Sequence, residues 1–221
     1  MFRKPLFLTA VAIAPLWAGQ FDATVRNDFF AGFFGDNAAF ERAMQASAGE
    51  PSPEAMAWHG GGLMVLSGRE FQKGNYASGG ELWAKAVAEM DKAGALEPDN
   101  PAVLIPRAAV WFAASRQVPP ERAVPLIGKA LADYEHVYEM QKAYFDTLDI
   151  HMRSELLFGL ADGYARIGNA EKARLWFDKL AALGPASGHL EQARQYANGE
   201  RYTVQGVGCV GCHASATTAG K

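Results

Sequence analysis

Residues 154–187 read SELLFGLADGYARIGNAEKARLWFDKLAALGPAS, and their periodicity sets the architecture expected of the chain. Leu157, Leu160 and Tyr164 recur at intervals of three and four, which places them on one face of a helix. Gly168-Asn169 interrupts that face with residues suited to a tight turn. The apolar spacing resumes at Ala173 and Phe177, and Gly184-Pro185 supplies a stop signal. Small side chains at Ala161 and Ala173 let the two segments approach closely. The stretch predicts two helices folded back on one another.

The pattern Leu157-x-x-Leu160-Ala161-x-x-Tyr164, Gly168, Ala173-x-x-x-Phe177, Pro185 resembles the tetratricopeptide repeat, a 34-residue helix–turn–helix unit. The resemblance implies stacked helix pairs whose concave face binds peptide segments or proteins. Upstream, Gly74-Asn75-Tyr76 makes a second turn, preceded by Leu63 and Leu66 and followed by Trp83 and Ala86. The helix after it runs to Leu96, about two turns beyond the family pattern, where Glu97-Pro98-Asp99-Asn100-Pro101 stops it. Gly35-Asp36-Asn37 separates helices expected over 22–34 and 37–48, and Val118-Pro119-Pro120 separates 103–115 from 121–144. The expected fold is all-α, with about four tetratricopeptide-like helix pairs and a capping helix near 189–198. Trp58, Trp83, Trp111 and Trp176 fall at helical spacing and read as the packing seam between pairs. The Phe29-Phe30 and Phe33-Phe34 pairs read as an N-terminal packing face.

Composition agrees with a helical body and narrows the function. Leu, Ala and helix-compatible charged residues dominate, and β-branched runs are scarce. Met1-Phe2-Arg3-Lys4 is a short basic start, 5–17 is apolar, and Leu16-Trp17-Ala18 precedes Gly19 as an acceptable cleavage site. That layout predicts a secretory signal peptide over 1–18. Its apolar stretch is too short to span a bilayer, so no membrane span is expected in the mature chain. The leader takes Arg3 and Lys4 with it and leaves 19 basic against 24 acidic residues, a net charge near −5. Nothing in that balance resembles a surface for nucleic acid or anionic lipid. No nucleophile, base and orienting group stand at useful spacing, so an electron carrier is expected here and not an enzyme.

Cys209-Val210-Gly211-Cys212-His213 carries the chemistry. C-x-x-C-H is the attachment signature of c-type haem. Each thiol adds across one haem vinyl group to form a thioether, and the next residue, His213, is carried to the iron as proximal ligand. Cys209 and Cys212 are the only cysteines in 221 residues, which suits a tether for one covalent haem c better than a disulfide framework. A thioredoxin-like pair would sit at the head of a helix in a βαβ unit, for which no strand pattern exists. A zinc site would need a further Cys/His pair at short spacing. The motif falls in a tail over 199–221, after a repeat domain over 19–198. Asn198-Gly199-Glu200 ends the cap, and the tail reads as non-helical.

Eight residues follow His213 and none is Met or His. A small class I cytochrome c has its motif near the start and a Met ligand downstream, an arrangement excluded by that composition. The motif's position also resembles class II cytochromes similar to cytochrome c′, which are four-helix bundles. The chain departs from them in length and in its repeat pattern. A sixth iron ligand must come from upstream, from water or from another chain, or be absent. His59 is the leading candidate distal ligand, because His59-Gly60-Gly61-Gly62 lies in a helical stretch where each glycine costs about 1 kcal/mol relative to alanine. Such a run suits the close approach of a flat group or of a neighbouring helix. His136, His151, His189, Met56, Met64, Met140 and Met152 are the other upstream donors. The function expected is a periplasmic monohaem cytochrome that moves single electrons and docks redox partners on a helical-repeat surface. A scaffold with a sensory or structural haem, and a haem-free scaffold with a redox Cys pair, are the two alternatives.

Overall fold

Helices start where a short polar side chain precedes the apolar periodicity, as capping requires. In this computed structural model, which describes residues 21–202, Asp22 accepts from Thr24 N–H ahead of α1 (Ala23–Phe33). Asp36 and Ser52 do the same for α2 (Asn37–Ser47) and α3 (Pro53–Gln72). Asn100, Asp149 and Asn169 cap α5 (Pro101–Ser115), α7 (Ile150–Arg166) and α8 (Ala170–Ala182). The remaining helices are α4 (Tyr76–Leu96), α6 (Pro120–Gln141) and α9 (Leu190–Ala197). Pro53, Pro101 and Pro120 open their helices, where a missing N–H has no intrahelical partner to lose.

Three of the turns repeat one local device. Gly35, Gly74 and Gly168 all have positive φ, a conformation that suits a residue without Cβ. The residue after each donates its N–H five residues back: Asp36 to Ala31, Asn75 to Glu70 and Asn169 to Tyr164, at 2.9–3.0 Å. These bonds close α1, α3 and α7 in the Schellman manner and reverse the chain. The turn at Arg116–Pro119 uses no glycine, and α6 begins directly on Pro120.

The described residues are therefore all-α, with nine α-helices packed as successive hairpins: α1–α2, α3–α4, α5–α6 and α7–α8, and α9 against α8. α3 also packs on α5, and α6 on α7. This is a stack of hairpins and not one four-helix bundle. Leu157, Leu160, Ala161, Ala173, Phe177 and Leu180 are all buried, in a core that runs through Trp111 and Val137 to Ala86 and Met90. Phe29, Phe40 and Trp58 form a second cluster at the N-terminal end. Trp58, Trp111 and Trp176 are buried and Trp83 is half-buried, as their spacing requires. Two expectations need correction. Phe34 is 44% exposed, because α1 ends at Phe33 and the turn carries the ring outward. The helix expected to run to residue 144 stops at Gln141, and a short 3-10 turn, Phe145–Thr147, follows.

The three glycines of α3 answer to its neighbours. A Cβ on Gly60 would lie 2.8 Å from Met90 Cγ and 3.1 Å from the Ala86 carbonyl of α4. On Gly61 it would lie 2.9 Å from Val110 of α5, and on Gly62 it would meet Met44 of α2 and Phe29 of α1. Successive residues point about 100° apart around a helix, so three consecutive glycines admit four neighbouring helices between them. Close packing of the protein's own helices accounts for the run.

Candidate functional site

Cys209, Cys212 and His213, expected to hold haem c, lie outside the described residues, as does the leader expected over 1–18. The chain that leads to them is fastened at its root. Arg201 and Tyr202 are not helical. The Tyr202 hydroxyl donates to Asp162 at 3.1 Å, and its ring packs edge-on against Phe158, Phe177 and Tyr196. Asp162 is buried and also accepts from Arg116 at 2.7 Å. Burial, and then the Asp162 charge, raise the Tyr202 pKa well above that of a free phenol, which keeps the donor protonated. Seven residues carry the chain from Tyr202 to Cys209, a reach of at most about 25 Å.

The stacking of hairpins brings α1, α3, α5 and α7, together with part of α6, around a groove of about 520 Å³. Phe30, Trp58, Ile105 and Leu156 give it apolar walls, and Arg26, Glu54, His151 and Glu155 give it polar points. Arg26 pairs with Glu54 at 3.2 Å. Burial holds the Glu54 carboxyl above the usual range, against the pull of Arg26. A second groove of about 620 Å³ runs between α3 and α5 past Gly61, Gly68 and Val110, and shares Trp58, Pro106 and Ala109 with the first. Pro106 has no N–H to give the carbonyl four residues back, so α5 is open at Ala102, which lines the first groove.

The candidate ligands are placed very differently. His59 Nδ1 lies 2.6 Å from Glu89 Oε2 of α4, with the ring 16% exposed, and the residue lines neither groove. His136 Nε2 engages Asp99 at 2.7 Å on an exposed face. His189 Nε2 meets the buried Glu155 at 2.7 Å, and its ring stacks on Phe158 with centroids 4.1 Å apart. That pairing ties the segment before α9 to α7. His151 and Met152 stand at the start of α7, both partly exposed, and both line the first groove. Met64 is buried, and Met56 and Met140 pack against core clusters. Among the described residues, no three His, Cys, Asp or Glu side chains converge on a metal position.

A groove of this volume with mostly apolar walls and few polar points has the character of a small-molecule or cofactor site. Imidazole and thioether are both axial donors to haem iron, and His151 and Met152 place one of each at its edge. Arg26 adds a cation to the groove wall, where it is paired with Glu54. The sequence puts His59 first and leaves His151 and Met152 among the other upstream donors. No sequence signal marks the groove, because its walls come from segments more than a hundred residues apart.

Compared with protein-family models, curated proteins and solved structures, the chain matches none. No helix among the described residues is long and apolar enough to cross a membrane.

Proposed function

We propose that this chain is an exported monohaem c-type cytochrome, built on tetratricopeptide-like repeats, that transfers single electrons to or from a docked protein partner. The observation that carries the reading is Cys209-Val210-Gly211-Cys212-His213, formed from the only two cysteines of the sequence. The basic-then-apolar start over 1–18 supports it independently, since both features belong to an exported protein. Stacked hairpins with an apolar groove are the kind of surface on which repeat proteins receive partners. His213 serves as proximal ligand, and the thioethers at Cys209 and Cys212 hold the macrocycle. The haem supplies one-electron iron chemistry, while the helical body fixes where it sits and what can approach it.

The test is expression of the full-length chain with a c-type maturation system. Haem that stays with the denatured polypeptide, and is lost when Cys209 and Cys212 are both replaced by Ala, is the expected result. The double variant should keep its helical circular dichroism. A chain that matures without covalent haem would overturn the reading and leave a helical scaffold with a redox-active Cys pair.

A further inference from the structure

We infer that the groove between α3 and α5 binds an apolar monocarboxylate, a fatty-acid-like amphiphile whose chain lies along the two helices and whose carboxylate meets Arg69. Nothing in this site depends on the haem reading, and its residues all lie between Phe33 and Gln117.

α3 and α5 touch where Gly61 faces Val110, since a Cβ on Gly61 would lie 2.9 Å from Val110 Cγ2. About two turns further along α3 the space between neighbours opens. Gly68 lines the groove there, and a Cβ built on it would meet nothing within 4 Å. Glycine inside a helix costs about 1 kcal/mol relative to alanine. At Gly60, Gly61 and Gly62 the neighbouring helices explain why a side chain is missing. At Gly68 no part of the protein does, and the missing side chain leaves room in a groove of about 620 Å³. Gly80 and Gly128 are equally unopposed, but neither lines this groove or the first.

Charge decides the class of ligand. Arg69 is the only charged residue that lines this groove. Its guanidinium carbon lies 4.7 Å from the centre of the buried Phe40 ring, and an aromatic face supports a cation without occupying its N–H groups. The guanidinium forms no ion pair or hydrogen bond among the described residues. Arg26 in the first groove differs, because Glu54 already neutralises it. Gln72 lies three residues beyond Arg69, on the same side of α3, and Gln117 follows the end of α5. Both line the groove and bring amide donors to the same end of it.

One guanidinium matches one carboxylate in a two-bond fork. A dianion would bring more charge than Arg69 offsets and would lose water against apolar walls. Those walls, among them Phe33, Val65, Val110 and Ala113, suit an alkyl chain, and the apolar surface they expose is covered when it binds. A volume of about 620 Å³ lies within the range of pockets that enclose small molecules. A peptide fits less well. Of the lining side chains only Arg69, Gln72, Gln117 and Trp58 carry nitrogen or oxygen, so peptide N–H and C=O groups turned to the walls would lack partners.

The test is calorimetric titration of the full-length protein with decanoate, decanol and the decyltrimethylammonium cation, each below its micelle-forming or solubility limit. The wild type should bind one decanoate per chain, about tenfold or more tighter than decanol, and the cation most weakly. Arg69→Gln should weaken decanoate about tenfold and leave decanol unchanged. Gly68→Leu should abolish binding of both while helical circular dichroism is kept, since leucine is the better helix former and has room. Equal affinity for acid and alcohol would overturn the inference, as would an Arg69→Gln variant that binds decanoate like the wild type. Undiminished binding by a folded Gly68→Leu would overturn it by placing the ligand elsewhere. A wild type that ignores decanoate but binds acetyl-Leu-Phe-Leu through its free carboxylate would overturn it in favour of a protein partner, and a wild type that binds neither would overturn it outright.

Discussion

The α3–α4 and α7–α8 hairpins reverse on the same local device and then pack by opposite means. Each turns on a positive-φ glycine followed by an asparagine whose N–H bonds five residues back. Beyond the turn they diverge. α3 meets α4 through missing side chains: Gly60 lies against Met90 and the Ala86 carbonyl, and Gly79 lies under the Phe71 ring. α7 keeps its glycines for earlier helices, Gly159 against Tyr134 and Gly163 against Leu131 and Phe112. It contributes Leu157, Leu160, Ala161 and Tyr164 to the core shared with α8. A common turn thus fixes chain reversal, while the contact that holds each pair is chosen position by position.

Six substitutions break or sharpen that contrast. The largest effect is expected in α7, where Leu160 is fully buried. Leu160→Ala should cost about 3 kcal/mol of stability through lost burial and a residual cavity, read from the urea midpoint. Next comes α3: Gly60→Ala should destabilise by about 1–2 kcal/mol through overpacking against α4, although alanine is the better helix former. Gly80, also helical, has nothing within 4 Å of a built Cβ, so Gly80→Ala should stabilise by about 0.5–1 kcal/mol. If both glycine changes stabilised, the close approach of α3 and α4 would not be what holds that hairpin.

At the far end of α7, Tyr202→Phe should cost about 1.5 kcal/mol at neutral pH, the low end for one hydrogen bond to a charged acceptor, because Arg116 still engages Asp162. The folded phenol titrates above its unfolded value, raised first by burial and then by Asp162. Its contribution is therefore whole below pH about 10 and is lost as pH rises beyond that. The wild type should lose stability in that alkaline window more steeply than Tyr202→Phe, and equal slopes would refute the link. The smallest difference tests the shared turn. Asn169 caps α8 by accepting from Lys172 N–H at 3.1 Å, whereas the Asn75 side chain makes no such bond and donates to Glu70 at 2.7 Å. Asn169→Ala should cost about 1 kcal/mol and Asn75→Ala only a few tenths. Equal costs would mean that the two turns are stabilised alike.

Much of the fold was legible because its signals are local. Asp36, Asn100 and Asn169 stand where their helices begin, and Gly74 and Gly168 mark the reversals that periodicity predicts. The end of α6 was misplaced by three residues, since Lys142 and Tyr144 suit a helix and only the packing of Phe145 against Tyr138 explains the 3-10 turn. The site was legible in part. Cys209-x-x-Cys212-His213 announces its chemistry by spacing alone. The glycine run after His59 was visible, but its meaning was not: a flat ligand and a neighbouring helix leave the same trace in sequence.

By itself, the sequence determined the helical segments, their turns and caps, and the chemistry expected at Cys209, Cys212 and His213. Each of these depends on residues within a few positions of one another, where backbone sterics and hydrogen bonding act directly. Only the tertiary structure decided that Gly60, Gly61 and Gly62 serve four different helices, that Glu155 holds His189, and that His151 shares a groove with Arg26 and Trp58. Those relations join residues 18 to 125 positions apart. They exist because burial of apolar surface draws distant helices together, and that force carries no record in the spacing of any one segment.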